Sequence, residues 1–435
     1  MLRFALALCL TIAASAVSAI EIKEVTSAGG INAWVVEEPS IPFTALEIRM
    51  RGGASLDLPG KRGATNLMMA LIEEGSGEMD AQEFQTKLDA LAASLSFRAS
   101  DDTMSISARF LSENRDEVLA LLRQALTQPR FDQDAIDRVR AQVLSGIASD
   151  AKSPNSIARS YFNQAAFGDH PYGSSPDGTV ESVNSLTQQD MFDAARNALT
   201  RKDIYVSAVG DITAQEIGGL LDDLLGDLPA DGPDAPADVA FGLGGGVTVI
   251  PYDTPQAVAL FGHSGIKRND DDFFAAYILN EVLGGSGFES RLMNEVREKR
   301  GLTYGIGSYL VPKFQAEMWI GQVASGNETI AQAIDVIRTV WTDLATNGMT
   351  QTELDGIKTY LTGAYPLRFD GNAEIAGIMV GMQMIGLPTD YVTNRNDYLA
   401  AVTLDDVNRV AAQYLRPDDL RFVVVGQPVG LESTE

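Results

Sequence analysis

The chain repeats itself. Leu186-Thr187-Gln188-Gln189-Asp190 opens an amphipathic run leading to the β-branched segment from Asp203 to Gly210, and Val402-Thr403-Leu404-Asp405-Asp406 opens a similar run leading to Asp419 through Gly426. Thr187 and Thr403 lie 216 positions apart, as do Asp190 and Asp406, and Gly210 and Gly426. A further helix start, Phe131-Asp132-Gln133-Asp134, matches Met349-Thr350-Gln351-Thr352 at an offset of 218. Each Thr-x-x-Asp can close a helix start reciprocally, the hydroxyl accepting an early N–H while the acid sits at the positive end of the helix dipole. Each β-branched run ending in Gly reads as a strand. Three matches at nearly one offset, in one order, predict a duplicated α/β unit.

Within each half, apolar-periodic helices alternate with short strands such as Ala45 to Met50 and Met104 to Phe110. Sheets with one face covered by helices follow, an α+β arrangement. Between the halves lies a stretch rich in Pro, Gly, Ala and Asp without periodicity, as in an interdomain tether. The predicted division is an N-terminal half over 20–228, a linker over 229–246 and a C-terminal half over 247–435. Two homologous halves on a flexible linker make a clamshell.

At 435 residues the chain exceeds what one core usually supports, in keeping with two halves. Its net charge of −26 opposes phosphate backbones and anionic lipid surfaces, so neither nucleic acid nor membrane is an expected partner. An acidic chamber would favour basic peptides, although net charge does not locate charge. Two histidines and one cysteine make a self-contained catalytic zinc site improbable, because such sites draw most ligands from these residue types.

Residues 1–19 run from Arg3 through an apolar stretch to Ala16-Val17-Ser18-Ala19, the layout of a secretory signal. Cleavage is expected after Ala19, giving a periplasmic chain that has lost Cys9 and its only thiol. No later stretch has the eighteen or so uninterrupted apolar residues of a membrane helix.

Gly63 to Gly75, the segment Phe167-Gly168-Asp169-His170-Pro171-Tyr172-Gly173 and above all Arg291 to Gly305 resemble the pitrilysin/insulinase peptidases. The similarity spans nearly the whole mature chain and includes its duplication. In that family the first segment carries the inverted zinc motif HxxEH, whose three functional positions share one helix face. Here those positions hold Asn66, Met69 and Ala70, and the family's third ligand, a Glu, falls near Ser145 and Gly146. An amide is a poor zinc ligand, and neither Met nor Ala can act as a base. No metal is therefore expected in this chain. His170 and His263 sit in opposite halves and read as structural groups.

Arg297 and Tyr304 match the family's Arg-Tyr pair, which the resemblance implies binds the substrate backbone and stabilises the oxyanion. Arg brings a fixed charge with directed donors, and Tyr a neutral O–H on a rigid arm. Gly301 is expected to end the helix, with Tyr304 just beyond it on the following strand. Arg300 is a weaker candidate for the same charge, and an ordinary ion-paired Arg297 with a core-filling Tyr304 is the plain alternative. Some bacterial members of the family work as two chains, one with the zinc and one with the Arg-Tyr pair. The resemblance therefore implies a non-catalytic subunit of a heterodimeric zinc endopeptidase, with zinc in a homologous partner and a peptide as substrate. The alternative is a catalytically inactive peptide-binding or assembly scaffold. A serine hydrolase has little support, because no Gly-x-Ser-x-Gly elbow adjoins a base.

Overall fold

The computed structural model describes residues 20–285 and 289–434. The expected signal segment, with its cleavage after Ala19, lies outside the described residues.

The first half opens with β1 (Lys23–Thr26), β2 (Asn32–Glu37), β3 (Phe43–Arg51) and helix α1 (Ala64–Leu71). A small ladder of β4 (Gly75–Ser76) and β5 (Met79–Asp80) leads into α2 (Ala81–Ala90), then the hairpin β6 (Ser94–Ala99) and β7 (Thr103–Leu111). Helices α3 (Arg115–Thr127), α4 (Gln133–Asp150), α5 (Pro154–Phe167), α6 (Val180–Ser185) and α7 (Gln188–Ala198) follow, and then β8 (Ile204–Gly210) and α8 (Ala214–Leu225). The second half runs β9 (Gly246–Pro251), β10 (Gln256–Ser264), α9 (Phe273–Gly284), β11 (Ile306–Pro312) and β12 (Glu317–Gly326). It closes with α10 (Ile330–Asn347), α11 (Gln351–Ala364), α12 (Asn372–Met384), α13 (Tyr391–Ala401), α14 (Leu404–Tyr414) and β13 (Arg421–Gly426).

The two sheets share one topology, with β1 added at the edge of the first. The first is ordered β1-β2-β8-β3-β7-β6, and the second, read from its far edge, β9-β13-β10-β12-β11. In each, one pair is parallel, β2 with β8 and β9 with β13, and the other pairs are antiparallel. The repeated threonines cap α7 and α14 through complete capping boxes with Asp190 and Asp406. The repeated glycine ends β8 at φ +134°, where a Cβ would lie 2.1 Å from the Phe43 carbonyl oxygen. Only a residue without a side chain fits that approach.

Each sheet buries one face under its own helices. Leu46, Ile48, Met50 and Ile106 meet α1, α3, α7 and α8 in one core, and Phe261, Trp319, Trp341 and Phe422 meet α9, α10 and α14 in the other. Every such fully buried large side chain contributes roughly 1.5–3 kcal/mol.

The opposite faces are covered by exchange. Helix α5 of the first half packs on β10 and β13 of the second, bringing Phe162 and Phe167 against Val258, Val423 and Val425. Helix α12 of the second half packs on β3 and β8 of the first, bringing Met379 and Met382 against Trp34, Ala45 and Val209. Both helices occupy the same place in the repeat, so the halves clasp each other about a pseudo-twofold axis.

The connecting stretch is pinned along its length instead of being a flexible tether. The Val239 N–H donates to the Gln315 carbonyl (2.8 Å) and the Gly242 N–H to the Ala166 carbonyl (2.8 Å). Phe241 packs edge-on to Phe167, with ring centroids 6.1 Å apart.

Candidate functional site

Helix α1 carries the three positions where zinc chemistry would sit. Its start is fixed by Asp57, whose carboxylate accepts from the Gly63 N–H (2.8 Å), the Thr65 N–H (2.8 Å) and the Thr65 hydroxyl (2.7 Å). Burial pushes the Asp57 carboxyl up from its ordinary value, against the pull of those bonds. On the helix itself, the Asn66 amide donates to the Asp177 carboxylate. Met69 is buried in the first core, and Ala70 packs against it. Ser145 and Gly146 are exposed on α4. A hydrogen-bonded amide, a core thioether and a methyl group supply neither the ligands nor the base of a zinc hydrolase, so this helix does not fit the metal.

The histidines are committed elsewhere. His263 is fully buried on β10, where Nδ1 lies 2.6 Å from the Ser264 carbonyl and Nε2 accepts from the Trp341 indole N–H (3.1 Å). Burial pushes its pKa down to about 4. His170 accepts the Tyr172 N–H on Nδ1 (3.2 Å) and so caps a short turn.

The Arg291 to Gly305 segment builds a different kind of site. Arg291 anchors it, gripping Glu353 at 2.8 and 3.0 Å and Asp343 at 3.0 Å. Burial opposes ionisation of Glu353, yet the bonds from Arg291 and Thr350 hold it down at about 2. Met293–Glu298 then forms a π-helical turn with Leu292 and Val296 in the second core. Such turns are rare and occur frequently at functional sites.

Arg297 projects from this turn, about one-third exposed, with Nη1 3.2 Å from Glu298 Oε1. Arg300 is occupied differently: its Nη1 donates to the Glu295 carbonyl (2.7 Å) and carboxylate (2.6 Å). Gly301 ends the turn at φ +62°.

Beyond it the chain is clamped. The Ser325 hydroxyl donates to the Leu302 carbonyl (2.5 Å), and Thr303 Oγ1 lies 2.6 Å from the Ala324 carbonyl and accepts the Gly305 N–H (3.1 Å). Leu302 and Thr303 are 7% and 8% exposed, whereas Tyr304 between them and the strand is 88% exposed. Tyr304 lies in the bend before β11, not on the strand as the sequence pattern suggests, and it fills no core. The sequence signal missed was Thr303, whose hydroxyl staples this bend to β12.

The principal neighbours of α1 are α4, α7 and β6 in the first half, and those of the π-helical turn are α10 and β11 in the second. The degenerate zinc positions and the Arg-Tyr segment are thus built on separate sheets.

The model describing the insulinase peptidase family M16 matches residues 34–179, and that for the peptidase M16 inactive domain matches residues 185–361. The chain belongs to the insulinase family. It is 26% identical over 392 residues to the non-peptidase homolog YmxG of Helicobacter pylori, covering 89% of this chain and 90% of that protein. It is 25% identical over 406 residues to an uncharacterized zinc protease of Streptomyces coelicolor, covering 91% and 87%. The crystal structure of a peptidase M16 inactive domain from Pseudomonas fluorescens superposes with a TM-score of 0.88 at 26% identity, covering 95% of this chain and 100% of that one. A Helicobacter pylori protease shares the fold, with a TM-score of 0.83 at 18% identity and coverage of 94% and 99%. With α1 lacking ligand and base, this insulinase-family chain is a non-catalytic homologue.

Proposed function

We propose that this chain is the non-catalytic subunit of a periplasmic heterodimeric zinc endopeptidase. It supplies Arg297 and Tyr304 to a homologous partner that carries HxxEH. The observation that carries this reading is Tyr304. A phenol left in water on a bend that three hydrogen bonds hold rigid is preorganised to meet something outside the chain. Arg297, seven residues earlier on the π-helical turn, adds a fixed positive charge with several donors.

In the assembly, Arg297 holds the peptide backbone, and Tyr304 donates its O–H to the oxygen that gains charge at the scissile carbonyl. The metal and base belong to the partner. Preorganised donors act wherever geometry places them, so they can be contributed in trans. The signal-like residues 1–19 support the periplasmic setting.

The test is to mix the purified chain with an HxxEH-bearing homologue. Peptide hydrolysis should rise well above that of either chain alone, and Arg297→Ala should lower kcat of the mixture about tenfold or more. An unchanged rate would remove the assigned role. The Arg297–Glu298 ion pair would then be structural, and the chain a peptide-binding or assembly scaffold.

A further inference from the structure

The face of the first sheet that α12 covers is only partly closed. The helix lies over β8 and β3, where Ser207 donates its hydroxyl to the Ala376 carbonyl (2.6 Å) and Ala45 meets Met379. On the β6 and β7 columns of the same face Ser94, Arg98 and Arg109 are exposed and Ser96 half-buried. Strand register fixes what stands there. Arg98, Ser105 and Arg49 are directly opposite one another across β6, β7 and β3. In the next row stand Ser96, Ser107 and Glu47, and in the row after that Ser94 and Arg109. Arg51 completes the column of β3 beyond Arg49.

On β3, β7 and β6 this face therefore carries four guanidinium groups against a single carboxylate, Glu47, in a chain whose net charge is −26. Arg51 is engaged by the second half, its Nη2 3.5 Å from the Met384 carbonyl and its guanidinium 3.9 Å over the Phe314 ring, which leaves Arg49, Arg98 and Arg109. Arg98 and Arg109 are exposed, and Ser105 and Ser107 are half-buried hydroxyls. The carboxylates at the adjoining turn are already spoken for: Asp101 pairs with Arg62 (2.8 Å) and Lys313 (2.6 Å), and Asp102 accepts from the Tyr172 hydroxyl (2.5 Å). Burial also pushes the Glu47 carboxyl up from its ordinary value.

We infer that this face binds an extended acidic peptide, and that acidic segments are the substrate class this subunit selects. The spacing agrees with the chemistry. Alternate side chains of an extended strand recur every ~6.8 Å, and the Arg98 and Arg49 row stands two such steps, about 14 Å, from the Arg109 row. Ser107 is hydrogen-bonded to Glu47, while the Ser96 and Ser105 hydroxyls are donors for backbone or carboxylate oxygens. Charge located on one sheet face thus reverses the preference for basic peptides that the acidic composition implies.

The inference rests on the peptide-binding reading above but is tested without the catalytic partner, so the two can fail separately. A fluorescein-labelled peptide of five Glu-Thr repeats and its Lys-Thr counterpart are titrated into the purified full chain by fluorescence anisotropy. The acidic peptide should bind and the basic one should not. Affinity should fall about tenfold in the double variant Arg98→Glu, Arg109→Glu and likewise on raising salt from 50 to 500 mM, since rim charges act through screened long-range fields. The salt and peptide-charge arms use the wild-type chain, so they hold even where the variant misfolds. Equal binding of both peptides, tighter binding of the basic one, or undiminished binding by a folded double variant would overturn the inference. So would full competition by inorganic tripolyphosphate at equal charge, which would make the face a small-anion site.

Discussion

Lys313 Nζ and Asp101 Oδ2 stand 2.6 Å apart, joining the tips of two hairpins that hold equivalent places in the two halves. The β6–β7 turn supplies Asp101 and Asp102, and the β11–β12 turn supplies Lys313 and Gln315. Tyr172 completes the contact: its hydroxyl donates to Asp102, accepts the Gln315 N–H (3.2 Å), and its ring lies 3.9 Å from the Lys313 ammonium. Both charged side chains of the pair are less than one-fifth exposed. Breaking it strands a partly buried charge.

Lys313→Ala should therefore cost about 2 kcal/mol in denaturant unfolding, more than an exposed pair would. Combined with Asp101→Asn, whose own loss also includes the Arg62 pair, the two losses should fall short of adding, because both remove the Lys313–Asp101 contact. Proteolytic cutting within 229–245 should speed up in the single variants, since that stretch is held by Gln315 on the same hairpin tip. Additive losses would show that the hairpin tips are not energetically coupled.

Met69→Glu restores the family's acid at its helix position, but in this chain the side chain is 1% exposed among Leu67, Met68 and Leu71. A carboxylate there has no partner, so the variant should lose about 3 kcal/mol or more, read as a fall in Tm. Asn66→His, at a half-buried position, should cost far less. If Met69→Glu were as stable as the parent, the core around α1 would be open enough to have housed a catalytic site.

Tyr304→Phe separates function from folding. At 88% exposure, losing the hydroxyl should leave stability within about 0.5 kcal/mol of the parent. In the mixture with the HxxEH partner, kcat should fall about tenfold or more while KM changes little, the pattern of a donor used in the transition state. A rise in KM alone would assign Tyr304 to ground-state binding.

Much of this was written locally. The Thr187 and Thr403 boxes, the Gly210 and Gly426 strand ends and the empty zinc positions could be read from short stretches, because caps, tight approaches and ligand types are local chemistry. The exchange of α5 and α12 was not legible. Both are amphipathic helices, and nothing in Phe162 or Met379 says whose sheet each will cover. The cationic face was hidden for a related reason: Arg49, Arg98 and Arg109 converge only once the register of three strands is known. The bend that carries Tyr304 is hidden as well, because the staple from Thr303 to the Ala324 carbonyl joins residues 21 apart.

His263 sets the pH response. Its folded pKa is depressed to about 4 by burial, below the ordinary value of 6.5, so between those limits the unfolded chain binds a proton that the folded chain refuses. Its contribution to stability is complete above pH 6.5 and is lost as pH falls through 4. From pH 7.5 to 5 the loss should amount to about 2 kcal/mol. His263→Gln, whose side-chain carbonyl can still accept from Trp341, should be less stable than the parent at pH 7.5 yet lose less on acidification. Comparing the two chains cancels the carboxyls that burial pushes up, such as Asp57 and Asp102, whose contribution runs the other way and fades as pH rises. It also leaves His170 common to both. Urea unfolding at the two pH values checks this, and parallel losses in parent and variant would mean that His263 is protonated in the folded chain.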